Sequence, residues 1–261
     1  MAPQLAWTWL GSVPYGQALA LQNDLAERRR GGAAADTLLL LEHPPVLTKG
    51  RRTDPRELGM GEDWYRMQGI EVAATDRGGR VTYHGPGQLV AYPVVDVAAV
   101  TGGGQPDVHA YVAALERVMI EALAATGIRA QVFDGLAGVW TAGPPPLPLG
   151  APGPQGIAVS ARDEALAAAP GEARKIGSIG IHVSRGIATH GLAINVNNDL
   201  QPFEWIVPCG IEAARMTSVS RELGAEQNLA AFTASVRDRF GEAFGRELVE
   251  VEASALVGAS P

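Results

Sequence analysis

Two strand-like segments joined by a short link, between residues 179 and 196, constrain the fold most strongly. In the first segment, Ile179, Ile181 and Val183 alternate with small or polar residues, which is the period of a half-buried strand. The second segment, Ile187 to Val196, alternates too, and its predicted inner face carries Ala188, His190, Leu192, Ile194 and Val196. The link Ser184-Arg185-Gly186 predicts a hairpin, and hairpins pair antiparallel. We therefore expect a sheet that is largely antiparallel.

Helices and further strands surround this hairpin along the chain. Helices are predicted where an apolar stripe recurs with helical period and ends at a capping residue, at Tyr15 to Arg30, Asp107 to Thr126 and Asn228 to Phe244. Further strands are predicted at Thr37 to Leu41, Val81 to Tyr83, Gln88 to Val95, Ile128 to Phe133 and Gly138 to Trp140. This arrangement favours an α+β fold, or mixed α/β fold, in which helices flank a largely antiparallel sheet.

Length and composition are those of a globular chain that forms one large domain or two small ones. The 261 residues are 46% apolar and 19% charged, which is ordinary for a folded protein. Residues 142 to 174 differ from the rest because they hold seven prolines and five glycines. We interpret this stretch as an inserted loop and expect a single domain over residues 1–261.

Charge, aromatic content and missing motifs argue against several functions. A net charge of −7 and an aromatic content of 6% disfavour nucleic-acid binding. No run approaches the ~18 apolar residues of a membrane span, and no basic residue precedes Arg28 as a secretory signal requires. We therefore expect a cytoplasmic protein. The common nucleotide-binding glycine loops are absent and the histidines lack metal-ligand spacing, so these routes to nucleotide or zinc chemistry are unsupported.

The single cysteine, Cys209, is the first candidate for chemistry. A lone cysteine is more often a small buried apolar residue than a nucleophile. Cys209 lies between Pro208 and Gly210, however, and these residues mark a turn, where a thiol is better placed to react than to fill a core. The reactive species would be the thiolate, so a nearby cation would have to lower the thiol pKa.

Lys175 and the segment from Arg77 to Gln88 are further candidates. Most lysines are solvated surface charges, but small residues around Lys175 leave room for a ligand beside its amine. The Arg77 to Gln88 segment contains four glycines and is either an ordinary glycine-rich hairpin or a surface against which a substrate lies. His84 in this segment could donate to a carbonyl group or position a thiol, although a lone histidine is usually structural.

Five segments together resemble one protein family. They are HPPVLTKG (43–50), RGGRVTYHGPGQLVAYP (77–93), KIGSIGIHV (175–183), THGLAINVNNDL (189–200) and PCGI (208–211). In this order they are similar to the lipoyl(octanoyl) transferases, which belong with the biotin and lipoate protein ligases. The resemblance extends from about Trp7 to Leu223 and implies the fold of the biotin and lipoate ligase catalytic domain.

The resemblance also implies a reaction and its partners. The family transfers an octanoyl group from acyl carrier protein to a lysine of a lipoyl domain through a cysteine thioester, the first step of endogenous protein lipoylation. The acceptors would be lipoyl domains of 2-oxoacid dehydrogenase complexes and the glycine cleavage H protein. No cofactor is implied, because thioester exchange is nearly balanced in energy and aminolysis of a thioester is downhill.

Site residues follow from the same resemblance. Cys209 matches the cysteine that accepts the acyl group, and Lys175 matches the lysine that lowers its pKa. The segments that would line the acyl pocket contribute Arg77, Gly78, Gly79, Arg80, Val81, Thr82, Tyr83, His84, Ser178, Ile179, Gly180, Gly191, Leu192 and Ala193. No metal ligand is implied.

Two other functions stay open, and one docking surface is predicted. The chain could be an ATP-dependent lipoate or biotin ligase on the same fold, or a protein that only binds acyl chains or lipoyl domains. Both protein partners of the family's reaction are acidic as a rule, and the net charge of −7 would repel them. We therefore predict that they dock on the basic residues Lys49, Arg51, Arg52 and Arg56, together with Arg77 and Arg80.

Overall fold

An eight-stranded sheet forms the centre of this computed structural model, which describes residues 3–141, 173–208 and 215–256. In spatial order its strands are β11 (Glu247–Glu250), β1 (Gln4–Ser12), β2 (Thr37–Glu42), β6 (Gln88–Asp96), β10 (Ile187–Asn195), β9 (Arg174–Ser184), β8 (Leu136–Thr141) and β7 (Ala130–Phe133). Strand β1 pairs in parallel with β2 and β11, and the remaining neighbours pair antiparallel. The predicted mixed α/β fold with a largely antiparallel sheet is confirmed.

A second sheet corrects the interpretation of the glycine-rich segment as a hairpin. In the described residues this sheet has three strands, β4 (Glu71–Ala74), β3 (Val46–Lys49) and β5 (Thr82–His84), with β3 in the middle. Strands β5 and β6 flank Gly85-Pro86-Gly87, yet β5 pairs with β3, and β6 pairs with β2 and β10. The turn therefore carries the chain from one sheet to the other. Gly87 permits this path because it has φ +82°, and a Cβ atom there would lie 2.8 Å from the backbone nitrogen of Asn198.

Helices pack on both faces of the large sheet. On one face, Leu38 and Leu40 of β2 share a core cluster with α4 (Val108–Ala124) and α7 (Leu229–Phe244). On the other face, Leu39 and Leu41 share a cluster with α1 (Tyr15–Arg30). Successive strand residues point to opposite faces, so a strand covered on both sides is apolar throughout, as the aliphatic run predicted. The shorter helices are α2 (Glu62–Met67), α3 (Val97–Val100), α5 (Gln201–Glu204), α6 (Val219–Leu223) and α8 (Ala253–Leu256).

The three predicted helices are confirmed, together with two of their capping residues. The side chain of Asp107 accepts a hydrogen bond from the Ala110 amide at 2.9 Å, which caps α4. Asn228 accepts from the Ala231 amide at 3.0 Å and caps α7 in the same way. Both caps satisfy an amide that has no partner within its helix.

The predicted hairpin is confirmed, but its predicted face is wrong at His190. Strands β9 and β10 pair Ser184 with Ile187 around a two-residue turn, in which Arg185 and Gly186 both have positive φ. His190 has φ +57°, a left-handed conformation that removes its side chain from the strand's alternation. Its ring lies 6.2 Å from that of Tyr92, away from the α4 and α7 cluster that contains its predicted neighbours.

Most of the predicted proline-rich insertion lies outside the described residues, which omit 142–172. Arg174, the last residue of the predicted insertion at about 142–174, is the first residue of β9. Its guanidinium forms an ion pair with Glu222 of α6 at 2.7 Å, which fixes the start of the strand. Within the described part of the chain, no helix is long and apolar enough to cross a bilayer.

Candidate active site

A cavity of about 140 Å³ lies between the β9–β10 hairpin and the glycine-rich segment that enters the second sheet. The predicted pocket residues on the glycine-rich side that line it are Arg77, Gly79, Arg80, Thr82 and His84. Those on the hairpin side are Ser178, Ile179, Gly180, Gly191, Leu192 and Ala193. The structure thus brings together two groups of residues that are about a hundred positions apart in the sequence.

Three predicted pocket residues do not line the cavity. Val81 and Tyr83 belong to a separate core cluster, in which the ring of Tyr83 lies 5.5 Å from that of Phe203. Their alternation with Thr82 and His84 explains this, because neighbouring residues of a strand face opposite sides. Gly78 instead joins the two sides of the cavity, since its amide donates to the Ile181 carbonyl at 2.8 Å.

Glycines shape the hairpin side of the cavity. A Cβ atom at Gly180 would lie 3.0 Å from Cδ of Arg77 and would therefore crowd that side chain. A Cβ atom at Gly191 would lie 2.7 Å from Cδ of Pro93 and would clash with the Ala91 carbonyl on the neighbouring strand. Only glycine fits at Gly191, and at Gly180 the missing side chain leaves room for the cavity.

The two arginines of the glycine-rich segment are held in place by other residues. Arg77 is buried, and its Nη2 donates to the carbonyl and the hydroxyl of Thr48, each at 2.7 Å. Arg80 forms an ion pair with the buried Glu57. The carbonyl of Glu57 accepts from the Val207 amide at 3.0 Å, so this wall of the cavity is tied to the chain just before Cys209.

Lys175 does not itself line the cavity, but its buried amine contacts a residue that does. The residue is 0% exposed, and its Nζ donates to the carbonyl of Ala137 at 2.6 Å. Ala137 itself lines the cavity. The same Nζ lies 5.4 Å from the ring centroid of Trp140, a position in which the ring attracts a cation. A Cβ atom at Gly138 would lie 2.8 Å from Cε of Lys175, so a small residue is needed beside this side chain.

Cys209 lies outside the described residues, together with residues 210–214. The described residues that flank this gap are Pro208 and Arg215. After the gap, the chain runs along Lys175: the Lys175 amide donates to the Arg215 carbonyl at 2.7 Å, and the Thr217 amide donates to the Lys175 carbonyl at 2.9 Å. The chain therefore lies beside the backbone of the buried lysine at Arg215, six residues after Cys209.

A buried hydrogen-bond network connects His84 to the same region. Gln88 donates from Nε2 to the Tyr83 carbonyl at 3.1 Å and to Oδ1 of Asn195 at 2.8 Å. Its Oε1 must therefore accept from Nδ1 of His84, at 2.6 Å. Asn195 in turn donates to the carbonyl of Thr217, the neighbour of the Lys175 backbone. Burial holds the pKa of His84 well below its usual value, so this ring is neutral with a lone pair on Nε2.

Two more histidines lie beyond His84 in the wall that faces α1. His43 donates from Nδ1 to the Val13 carbonyl at 2.6 Å and accepts the Tyr92 hydroxyl proton at Nε2, at 2.9 Å. Burial lowers the pKa of His43 to about 4. Burial also lowers the pKa of His190, although a hydrogen bond to Asp76 opposes this shift. Both imidazole rings are consequently neutral at neutral pH.

The comparisons with known proteins identify the family of this chain. The lipoyl protein ligase A/B catalytic domain family matches residues 14–241. The chain belongs to this family. It is 38% identical over 248 residues to an octanoyltransferase of Acidobacterium capsulatum, covering 93% of this chain and 91% of that one. It is 40% identical over 237 residues to an octanoyltransferase of Rubrobacter xylanophilus, covering 90% and 91% of the two chains.

A solved structure supports the fold of this lipoyl protein ligase A/B family member. The bipartite lipoate protein ligase of Thermoplasma acidophilum superposes with a TM-score of 0.65 at 16% identity, over 98% of this chain and 90% of that chain. At this identity the likeness concerns the fold alone. The octanoyltransferase relatives and the family together make the chain an acyltransferase enzyme. Among the described residues, no group of histidine, cysteine and acidic side chains could hold a metal ion.

The predicted docking patch is mostly neutralised in this family member. Lys49 pairs with Glu62 at 2.5 Å, and Arg56 pairs with Asp54 at 2.6 Å. Arg80 pairs with Glu57, and Arg77 is buried, as described above. Only Arg51 and Arg52 are exposed residues of the patch without an ion pair in the described part of the chain. Nearby carboxylates therefore compensate much of the charge of the predicted patch, and docking there stays a prediction.

Sequence reasoning missed five residues that line the cavity: Tyr15, Arg52, Tyr92, Ala137 and His190. Arg52 was predicted only for docking, and His190 was placed on the apolar face. Tyr15 is the first residue of α1, and Tyr92 and Ala137 lie in strands whose sequences indicate only burial. No local signal marks these three residues, because tertiary pairing brings their strands or helix to the cavity.

Proposed function

We propose that this enzyme transfers an octanoyl group from acyl carrier protein to a lysine of a lipoyl domain, through a thioester on Cys209. One observation carries the proposal: the buried amine of Lys175 lies against Ala137 at the wall of a cavity lined by small residues. The chain lies beside the Lys175 backbone at Arg215, six residues after Cys209, which supports a role for both residues in one site. The octanoyltransferase relatives support the choice of acyl group.

In the first step, the Cys209 thiolate attacks the carbonyl carbon of the octanoyl thioester. A carbon–sulfur bond forms at Cys209 and the bond to the carrier's sulfur breaks. The Lys175 ammonium stabilises the attacking thiolate, because an adjacent cation lowers a thiol pKa. The departing carrier thiolate then takes a proton from Lys175, which leaves a neutral amine in the site.

In the second step, the acceptor lysine attacks the Cys209 thioester. Neutral Lys175 removes a proton from the incoming ammonium, so the acceptor can attack as a free amine. The amide bond forms, the bond to Cys209 breaks, and the attacking nitrogen releases its second proton to solvent, so the Cys209 thiolate and Lys175 ammonium are restored. No nucleotide is consumed, because the thioester supplies the driving force.

The cavity favours a medium-length acyl chain. Small side chains and backbone from Ser178, Gly180, Gly191 and Ala193 form one wall, which leaves space where larger residues would close the core. At ~0.8 kcal/mol for each buried methylene, an octanoyl chain would gain about 5 kcal/mol of binding free energy there. This energy would hold the thioester carbonyl in position for attack.

Two further parts of the proposal concern the whole chain. Residues 1–261 would act as one catalytic domain, with the insertion before Arg174 as part of it. The lipoyl domains of 2-oxoacid dehydrogenase complexes and the glycine cleavage H protein would be the acceptors. Arg51 and Arg52 would attract these partners if, as is usual for the family's substrates, the partners are acidic.

An ATP-free transfer assay tests this proposal. The purified protein is incubated with octanoyl-acyl carrier protein and a lipoyl domain, and the acceptor is analysed by mass spectrometry. We expect an octanoyl amide on the lipoyl-domain lysine without ATP, and no product from Cys209→Ala.

The alternatives give different results in the same assay. Transfer that needs ATP and free octanoate, and releases pyrophosphate, would favour a ligase and contradict the proposal. Unmodified acceptor under both conditions would favour a protein that only binds acyl chains. Unchanged activity of Cys209→Ala would exclude the thioester step.

A further inference from the structure

His190 occupies a backbone conformation that the surrounding structure has to enforce. Its φ of +57° is uncommon for a residue with a side chain, and such strain persists where neighbouring contacts fix it. The His190 amide donates to Oε1 of Gln22 at 2.7 Å, and Gln22 is 0% exposed on α1. This buried contact holds the ring of His190 in the cavity wall.

The hydrogen bond to Asp76 determines which ring nitrogen of His190 carries the proton. Nε2 of His190 lies 2.7 Å from Oδ1 of Asp76, and a carboxylate can only accept, so Nε2 carries the proton. Nδ1 of the neutral ring then has a lone pair. This atom is buried and has no hydrogen-bond partner in the described part of the chain.

The Lys175 amine and His190 lie at different positions along the length of β9. Gly138 adjoins both Gly177 and Cε of Lys175, so the Lys175 amine lies near the level of Gly177. His190 pairs with Ile181, four residues further along, and at ~3.3 Å per residue the separation is about 13 Å. We name the part of the cavity between Ala137, which accepts a hydrogen bond from Lys175, and His190 the acyl slot. Ser178, Gly180, Gly191 and Ala193 line it.

The length of the acyl slot matches a medium-length chain. With carbon–carbon bonds of about 1.5 Å, an extended eight-carbon chain measures roughly 9 Å, which leaves room for the reacting carbonyl beside Lys175. A chain of ten or twelve carbons would reach the ring of His190. It would then have to displace a ring fixed by Asp76 and Gln22.

We propose that His190 closes the acyl slot and sets the upper limit of acyl-chain length. The inference rests on the proposed function, since it requires the reacting carbonyl to lie beside Lys175. The limit is steric, because the fixed ring blocks the path of a longer chain. His190 is thus a specificity-determining residue that does not touch the reacting atoms.

Competition between octanoyl and decanoyl carriers tests the proposal. Equal amounts of the two acyl carrier proteins are supplied to the enzyme, and the ratio of decanoyl to octanoyl adducts is measured in a single turnover. We expect His190→Asn to raise this ratio at least tenfold, because asparagine tolerates positive φ and is shorter. His190→Ala shortens the side chain further and is expected to raise the ratio further.

A matched control is available on the same hairpin. His182 lies 3.7 Å from Asp76 but does not line the cavity, so His182→Asn should leave the ratio within twofold of the wild-type value. Thermal melting establishes that each variant is folded. A folded His190→Asn variant with the wild-type ratio would overturn the proposal.

Binding of free fatty acids to the wild-type protein separates this proposal from the proposed function. Calorimetry with acids of six, eight, ten and twelve carbons should give affinities that rise to eight and then fall. Such a maximum without any acyl transfer would support the length limit and reject the transfer reaction. Affinities that keep rising through twelve carbons would overturn the length limit, whether or not the His190 variants fold.

Discussion

The β9–β10 hairpin has two faces that differ in side-chain volume. On one face, Ile181, Val183 and Ile194 pack in the cluster formed with α4 and α7. On the other face, Gly180 and Gly191 expose backbone to the cavity. Both faces belong to the same pair of strands, so the backbone is common to them. Glycines at positions where other strand residues carry large side chains therefore leave the space for the cavity on an otherwise regular hairpin.

The largest expected effect comes from replacing Lys175, whose amine adjoins the cavity. Lys175→Arg should lower the single-turnover transfer rate by about 1,000-fold, because arginine keeps its proton and cannot act as a base. The buried site against Ala137 and Trp140 also has no room for a larger head group. The rate is measured with octanoyl-acyl carrier protein and a lipoyl domain.

The other lysine provides the control for this prediction. Lys49 is partly exposed and pairs with Glu62, so Lys49→Arg should keep the ion pair and the wild-type rate within twofold. Near-normal transfer by Lys175→Arg would remove the general-base role from the account. It would leave the stabilisation of the thiolate by a cation untouched.

The packed face of the hairpin should be far more sensitive to truncation than the cavity face. Ile194→Ala removes a fully buried side chain from the α4 and α7 cluster and should cost 2–5 kcal/mol, roughly, of unfolding free energy. Ser178→Ala on the cavity face should change it by less than about 1 kcal/mol. Urea denaturation measures both, and equal losses would contradict the division into a packed and an open face.

The histidines behind the cavity should make stability depend on pH. Burial lowers the pKa of His43 from its ordinary 6.5 to about 4, so between these values the unfolded chain binds a proton that the folded chain does not. Stability is therefore lost as the pH falls from 6.5 to 4, by about 3 kcal/mol for this residue. His84 adds to the loss, since burial lowers its pKa too.

Urea unfolding between pH 7 and pH 4 measures this effect, with His43→Gln as the test variant. Glutamine can replace part of the hydrogen bonding to Val13 and Tyr92 but does not titrate. The variant should show a shallower fall in stability than the wild type. The same slope in both proteins would mean that His43 is not the group that titrates.

The smallest expected effect concerns docking. Reversing both exposed arginines, with Arg51→Glu and Arg52→Glu, should lower kcat/KM for acyl transfer by about tenfold at low salt, and the difference should shrink as salt is added. Arg239→Glu, on α7, changes the net charge without altering this surface. If the double variant and the α7 control have the same rate, docking does not use these arginines.

Much of the fold was predictable because local signals decided it. The caps Asp107 and Asn228 and the apolar stripes that follow them fix α4 and α7 within a few residues. Strand pairing was less predictable. Gly85-Pro86-Gly87 has the same sequence signal whether it closes a hairpin or carries the chain between two sheets, and only the partners of β5 and β6 decide this.

The candidate site was predictable where the residues that line the cavity lie in a segment with a recognisable sequence motif. The glycine-rich segment and the hairpin were recognised, whereas Ala137 was not, since its place at the amine depends on the pairing of β8 with β9. The positive φ of His190 has no sequence signature, because histidine in a strand pattern predicts an ordinary strand residue. The partner of Arg56 was within reach, because Asp54 is only two residues away.

Intact mass spectrometry of the protein after incubation with octanoyl-acyl carrier protein tests the central claim most directly. Without nucleotide, we expect one octanoyl adduct that peptide mapping assigns to Cys209, disappears in Cys209→Ala, and is discharged when a lipoyl domain is added. A protein that never carries the adduct, or that carries it on another residue in the Cys209→Ala variant, would contradict the account.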